Sequence, residues 1–205
     1  YNFTTPEFNV NVCQLPLWSF SVYFAWRCFK YDKKMDYVYL GLLMGLGVLS
    51  KYLFLYLILG IKLLFIYLIK KGKKIKFRNY FITATIFMLV LFPHLIWLRE
   101  NDFMTIAYGM NRAGGEGDFF DHLIYPLTFL GKQISILIPL FLMTFLLLKK
   151  LKLKFHLKDE KLIFLIFTTI VPILAILFTS MILGIKIRTM WMTPFYLLFG
   201  VLMIH

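Results

Sequence analysis

A lysine and a basic turn are the features of this sequence best suited to hold a phosphate. Lys51 lies with Tyr52 in a polar break between two apolar stretches, where its ammonium group offers a point charge to a lipid phosphate. Lys186 and Arg188 lie two positions apart just before Trp191, and a guanidinium donates two parallel N–H groups. Both features have an alternative interpretation, because lysine, arginine and tryptophan also anchor proteins at the membrane–water interface.

A second group of polar residues suits a carbohydrate, because sugars are bound through many directional hydrogen bonds. The group lies at the break, in the polar segment 99–122 and inside one apolar segment. Its members are Tyr52, Arg99, Asp102, Tyr108, Arg112, Lys132 and Gln133. Polar side chains inside an apolar segment usually face a bundle interior or a wet cavity. For the residues of segment 99–122 the alternative is a solvated outer loop.

Three acidic residues and a histidine near the end of segment 99–122 are considered as candidate metal ligands. Glu116, Asp118, Asp121 and His122 lack regular ligand spacing and are flanked by glycines, and we assign no metal site to them. His94 is better explained by a hydrogen bond within a helical bundle than as a catalytic base. The sequence contains no Walker loop, zinc-ligand pair or nucleophile elbow.

The composition indicates the elements that must position these residues. The chain has 205 residues, of which 60% are hydrophobic and 16% are charged, whereas a soluble domain is about a quarter charged. Its apolar residues form long blocks that suit helices crossing a hydrocarbon core of about 30 Å, and they lack the alternation of barrel strands. We therefore predict an all-α integral membrane protein, a multi-span helical bundle of about seven helices. The apolar segments are 13–29, 37–49, 52–69, 80–98, 123–148, 162–183 and 189–205.

The placement of positive charge predicts the topology. The net charge is +13, and most lysines and arginines fall in the connections 27–36, 70–79 and 149–161, a pattern of membrane topology and not of a nucleic-acid groove. The positive-inside rule places these connections in the cytoplasm. The block between the first two must then cross twice, as two short helices meeting at the outer face beside Lys51. The remaining outer cations are Arg99, Arg112, Lys186 and Arg188.

Three further expectations concern the chain as a whole. Cys13 and Cys28 lie about 22 Å apart on one predicted helix and cannot form a disulfide with each other. Gly41 and Gly45 have the spacing that lets membrane helices approach closely. We expect residues 1–205 to form a single transmembrane domain that is a fragment of a longer protein.

The order of these features resembles a known family. Along the chain it runs through the glycines before Lys51, a basic loop, the helix end at Pro93 and Trp97, the outer residues from Arg99, prolines at 126 and 139, and the turn before Trp191 and Pro194. This order is similar to the protein mannosyltransferase-like superfamily of the GT-C fold. Its bacterial branch includes the lipid A aminoarabinose transferase and lipopolysaccharide galacturonosyltransferases.

The resemblance implies a multi-pass enzyme of a bacterial inner membrane. Its partners would be membrane lipids, a polyprenyl-phosphate-linked sugar as donor, and a lipid, glycan or protein acceptor on the periplasmic face, with no nucleic acid. By position, Lys51, Lys186 and Arg188 resemble family cations that hold the donor phosphate, and the outer-loop residues resemble those that line the cavity. No residue here matches the family's catalytic acid, which we expect upstream, and a divalent metal cofactor stays open.

Two other functions compete with this interpretation. A transporter or lipid flippase would show paired inverted repeats with broken helices and charged residues at the membrane midplane. Lys62 is the one residue that suits it, and the two halves of the sequence show no similarity. A structural membrane subunit would tolerate replacement of the outer cations.

Overall fold

The computed structural model describes residues 9–73, 76–114, 118–148 and 159–204. Within these ranges all regular secondary structure is helical, which confirms the all-α membrane class. The α-helices are α1 (Val10–Tyr31), α2 (Lys34–Ser50), α3 (Leu55–Lys70), α4 (Phe77–Glu100), α5 (Met104–Ala113), α6 (Asp121–Leu148), α7 (Glu160–Leu165), α8 (Val171–Leu183) and α9 (Phe199–Ile204). Glu116 and residues 149–158 of the third basic connection lie outside the described residues.

The predicted number of membrane helices is not confirmed. Among the described residues, four helical stretches are long and apolar enough to cross a membrane. They are Tyr52–Lys70, Phe77–Glu100, Asp121–Leu146 and Glu160–Leu183. The chain divides into two compact units, Tyr1–Ala107 and Tyr108–His205.

In the first unit, α2 packs closely against α1 and α4. A Cβ atom added to Gly41 would lie 2.6 Å from the carbonyl oxygen of Thr83, and one added to Gly45 would lie 2.6 Å from Val90. The predicted close packing at these glycines is therefore confirmed, and the partner is α4. Helix α3 reaches the same helix through Phe65, whose ring meets that of Tyr80 edge-on at 4.4 Å.

Ion pairs and hydrogen bonds join the first two basic connections at one end of this unit. Arg27 at the end of α1 pairs with the buried Asp36 of α2 at 2.8 Å. Asp32 accepts a hydrogen bond from the amide of Asn79 at 3.0 Å and pairs with Lys76 at 3.6 Å. Connections 27–36 and 70–79 therefore meet at the same end of the unit, as two connections on one side of a membrane must.

In the second unit, α6 packs against α8. Helix α7 continues into α8 through a π-helix, Ile166–Ile170, so Glu160–Leu183 forms one helical stretch. The prediction of a single helix over 189–205 was wrong: a 3₁₀-helix, Thr189–Tyr196, precedes the short α9. Pro194 lies inside the 3₁₀-helix, whereas Pro93, Pro126 and Pro139 lie inside α-helices, so the proline alone does not account for the difference.

The segment 99–122, expected to be a loop, also contains a helix. Helix α5 follows α4 after a turn at residues 101–103. Asp102 and Phe103 both adopt left-handed backbone conformations, with φ of 48° and 54°. Aspartate tolerates this conformation, but a bulky aromatic residue rarely adopts it, so the turn carries backbone strain at Phe103 that its surroundings must hold.

Candidate functional site

Lys51 occupies the predicted break between α2 and the next helical segment. Its backbone is extended, with φ −169° and ψ 133°, and the 3₁₀-helix Tyr52–Phe54 leads from it into α3. Its N–H donates to Gly47 O at 3.1 Å, and its carbonyl accepts from the N–H of Phe54 at 3.0 Å. The predicted position of the break is confirmed. Because the helix is interrupted at Lys51, the carbonyl of this residue is accessible to side chains of other helices.

Two carboxamides of α1 reach Lys51 from the first turns of that helix. The ammonium of Lys51 donates to Asn11 Oδ1 at 2.5 Å, and Gln14 Nε2 donates to the Lys51 carbonyl at 3.0 Å. Asn11 and Gln14 are buried, at 5% and 0% exposure. Sequence reasoning missed both residues. The available signal was a pair of polar residues three positions apart at the start of an apolar segment, where polar groups require partners.

Tyr52 links the break to α4 and α5. Its hydroxyl is hydrogen-bonded to His94 Nε2 and to Thr105 Oγ1, each at 2.7 Å. The imidazole of His94 stacks on Trp97, with ring centroids 5.8 Å apart. His94 thus makes the hydrogen bond within the bundle that its sequence context indicated, and Thr105 holds the start of α5 beside the strained turn.

Arg99 and Asp102, two of the predicted cavity residues, lie at the exit from α4. Arg99 is in the last turn of the helix, and Asp102 is the first left-handed residue of the turn. Both side chains are exposed. The end of the first unit opposite the ion-paired end therefore carries Lys51, Tyr52, Arg99 and Asp102.

Tyr108 and Arg112 lie one helical turn apart on α5. The guanidinium of Arg112 donates a hydrogen bond to the Tyr108 hydroxyl and lies 5.7 Å from the centre of the Tyr108 ring. Both residues are exposed. The pair presents a cation and a phenol from one face of the helix, which is a combination that suits a sugar or a phosphate.

Lys186 and Arg188 lie in the segment of the second unit between α8 and the 3₁₀-helix, where Arg188 has an extended backbone. The Lys186 N–H donates to Ala113 O at 2.9 Å, which attaches the segment to the end of α5. Both cationic residues are exposed, whereas Ile187 between them is buried. This alternation of exposure places both cations on the exposed side of the segment.

Lys132 and Gln133 have different surroundings although they are neighbours on α6. Gln133 is buried and accepts a hydrogen bond from the Tyr196 hydroxyl at 2.7 Å. Lys132 is exposed. One helical position rotates the side-chain direction by about 100°, so a single cavity surface does not receive both residues.

His122 has a structural partner in the second unit. Its Nδ1–H donates to the carbonyl of Met181 at 2.9 Å, and its Nε2 would lie 3.1 Å from a Cβ atom on Gly184. No group of three or more His, Cys, Asp or Glu side chains converges within the part of the chain that the structure describes. The donor set around His122 therefore offers no basis for assigning a metal.

Comparison with known proteins bears on the first unit. Residues 1–97 match the family model described as dolichyl-phosphate-mannose-protein mannosyltransferase. The match covers slightly less than half of the chain and supports a protein mannosyltransferase-like superfamily of GT-C membrane glycosyltransferases. It includes Lys51, Tyr52 and His94, and Lys186 and Arg188 lie beyond it. No curated protein and no solved structure matches the chain.

Proposed function

We propose that the protein transfers a sugar from a polyprenyl-phosphate donor to a lipid, glycan or protein acceptor on the periplasmic side of a bacterial inner membrane. The observation that carries this proposal is the setting of Lys51. It lies within the segment that matches a mannosyltransferase family, at a helix break, with its ammonium and its carbonyl both bonded to α1. A cation held at the end of membrane helices suits the phosphate of a membrane-embedded lipid.

The proposed chemistry is an inverting displacement at the anomeric carbon. The acceptor oxygen forms a bond to that carbon as the bond to the phosphate oxygen breaks, and both electrons of the broken bond leave with the polyprenyl phosphate. The acceptor proton passes to a general base that is not assigned to a residue of this chain. Lys51 stabilises the negative charge that develops on the leaving phosphate.

Lys186 and Arg188 are proposed as further phosphate-binding cations. Two exposed cations two positions apart suit an anion, and the guanidinium can contact two phosphate oxygens at once. Arg99, Tyr108 and Arg112 are proposed to bind sugar or acceptor hydroxyl groups. These assignments rest on the exposure of the side chains and on the hydrogen-bonding capacity of their residue types.

The test is loss of sugar transfer on removal of the Lys51 charge. We expect Lys51→Met to lower kcat/KM for a polyprenyl-phosphate-linked sugar by about 100-fold, because a preorganised group that stabilises developing charge contributes that much. Transfer is measured with the full-length protein in lipid nanodiscs. Lys62→Met is the matched control, since Lys62 is an exposed lysine of α3 outside the proposed site. Equal activity of Lys51→Met and Lys62→Met would contradict the proposal.

A further inference from the structure

Two residues of α1 form hydrogen bonds with Lys51, one with its side chain and one with its main chain. Asn11 binds its ammonium group, and Gln14 binds its main-chain carbonyl. The two carboxamides lie three positions apart and therefore on one face of α1. The same face carries Trp18, whose ring meets that of Phe54 edge-on at 5.4 Å in the 3₁₀-helix that follows Lys51. Helix α1 thus contacts the break at the side chain of Lys51, at its backbone and at the next turn.

The chemistry of these contacts suits residues that orient the Lys51 side chain without neutralising its positive charge. A lysine side chain has four rotatable bonds, and fixing such a chain costs up to about 2 kcal/mol of conformational free energy. A buried amide oxygen removes part of that freedom before a ligand arrives. Because the amide is uncharged, it leaves the positive charge of the ammonium in place, whereas a carboxylate at the same distance would cancel it.

We propose that Asn11 and Gln14 are positioning residues that hold the Lys51 ammonium ready for an anionic phosphate. The inference rests on the proposed function, because it takes Lys51 as the cation that meets the donor phosphate. Neither carboxamide touches the reacting atoms. Asn11 sets the direction of the side chain, and Gln14 fixes the backbone from which that side chain departs.

The N-terminal cap of α1 supports this role. Asn9 Oδ1 accepts hydrogen bonds from the N–H groups of Asn11 and Val12, at 2.9 and 3.3 Å. A capped helix end keeps the first turn regular, and Asn11, which contacts Lys51, belongs to this turn. The geometry of the ammonium thus depends on the helix end as well as on the break.

The test is a double-mutant cycle between Asn11 and Lys51 in the full-length protein in nanodiscs, with binding of polyprenyl monophosphate as the readout. We expect Lys51→Met and Asn11→Ala each to weaken binding by about tenfold or more, the scale of one hydrogen bond to a charged group. In the Lys51→Met background, Asn11→Ala should weaken binding no further, because its effect acts through the lysine. Ser19→Ala, on the exposed side of α1, is the control that leaves binding unchanged.

Two results would overturn the inference without touching the proposed function. The first is an equal loss from Asn11→Ala with Lys51 present and with Lys51 replaced. The second is wild-type binding by Asn11→Asp, a variant of the same shape that retains a fold if Asn11→Ala does not. Its carboxylate should weaken phosphate binding by about tenfold or more by offsetting the ammonium charge. Wild-type binding by Lys51→Met would instead overturn the proposed function, and the positioning role with it.

Discussion

Gly184 is the residue at which α8 ends and the segment bearing Lys186 and Arg188 begins. Its φ is +60°, in the left-handed region that glycine adopts without strain. A side chain at this position would also meet the imidazole of His122, with a Cβ–Nε2 distance of 3.1 Å. The direction in which the two cations leave α8 therefore depends on a residue without a side chain.

We expect Gly184→Ala to lower the stability of the protein by about 1–2 kcal/mol from the left-handed backbone, with an added cost from His122. Gly72→Ala is the control, because Gly72 has φ +81° and no atom lies within 4 Å of the position that its Cβ would take. The readout is the apparent melting temperature in detergent. If Gly184→Ala lowers the melting temperature more than Gly72→Ala does, the difference reports the contact with His122. Equal decreases in the two variants would show that this contact does not contribute to the loss of stability.

Residue type alone led to Lys51 but not to the residues that hold it. The lysine stands out because a charge between two apolar stretches is rare. Asn11 and Gln14 do not, because a carboxamide near the start of a helix has many uses and its partner lies about 40 positions away in the chain. The contact is a tertiary one, and no local pattern encodes it.

At the scale of elements, the glycines of α2 allow a close contact between α2 and α4. The glycines of α2 let the backbone of α4 approach so closely that a methyl group at Gly41 would lie 2.6 Å from the carbonyl oxygen of Thr83. Thr83 Oγ1 in turn donates to the carbonyl of Tyr37 at 3.0 Å, a second link between the two helices. Helix α4 also carries His94, so this packing helps to place the partner of Tyr52.

Gly41→Ala should therefore separate α2 from α4 and destabilise the protein by about 1–3 kcal/mol, the usual cost of overpacking. Gly131→Ala in α6 is the matched control, since no atom lies within 4 Å of the added group and alanine favours a helix. Denaturation in mixed micelles, followed by circular dichroism, compares the two variants. A melting transition of Gly41→Ala at or above that of Gly131→Ala would argue against a tight contact.

The sequence predicted some elements well and others poorly, for physical reasons. The need for a break followed from charge, because two basic connections on one side require an even number of crossings, and the polar residues around Lys51 indicated its position. Helix α5 was missed because its ten residues are mixed in polarity, and such a helix is chosen by its surroundings. Segment 189–205 is apolar enough for a span, but apolarity does not distinguish an α-helix from the 3₁₀-helix that residues 189–196 form.

At the scale of the whole molecule, the distribution of charge predicts which positions face each side of the membrane. The first unit is consistent with this prediction, because connections 27–36 and 70–79 meet at one end of the unit. Lys51 lies at the other end of α2. The single-domain organisation proposed for residues 1–205 stays a prediction.

Cysteine accessibility tests the sidedness directly. In a background with Cys13 and Cys28 replaced, we expect Arg99→Cys and Arg188→Cys to react with a membrane-impermeant maleimide in intact cells. Lys33→Cys and Arg78→Cys should react only after permeabilisation, because the positive-inside rule predicts that the basic connections face the cytoplasm. All four native side chains are exposed, which makes burial a poor explanation for a lack of labelling. Labelling of Lys33→Cys but not of Arg188→Cys in intact cells would show that the protein has the opposite orientation to the predicted one.

Ion pairs occur at the basic end of the first unit in addition to hydrogen bonds, whereas Tyr52 at the other end is held by hydrogen bonds, so the two ends respond differently to ionic strength. One end depends on ion pairs, Arg27 with Asp36 and Lys76 with Asp32, which dissolved salt screens most strongly where the partners are exposed. The other end joins Tyr52 to His94 and Thr105 by short hydrogen bonds, which screening affects little. Dissolved salt therefore weakens the exposed Lys76–Asp32 pair before the Arg27–Asp36 pair, whose carboxylate is buried, and it changes the surroundings of Tyr52 least.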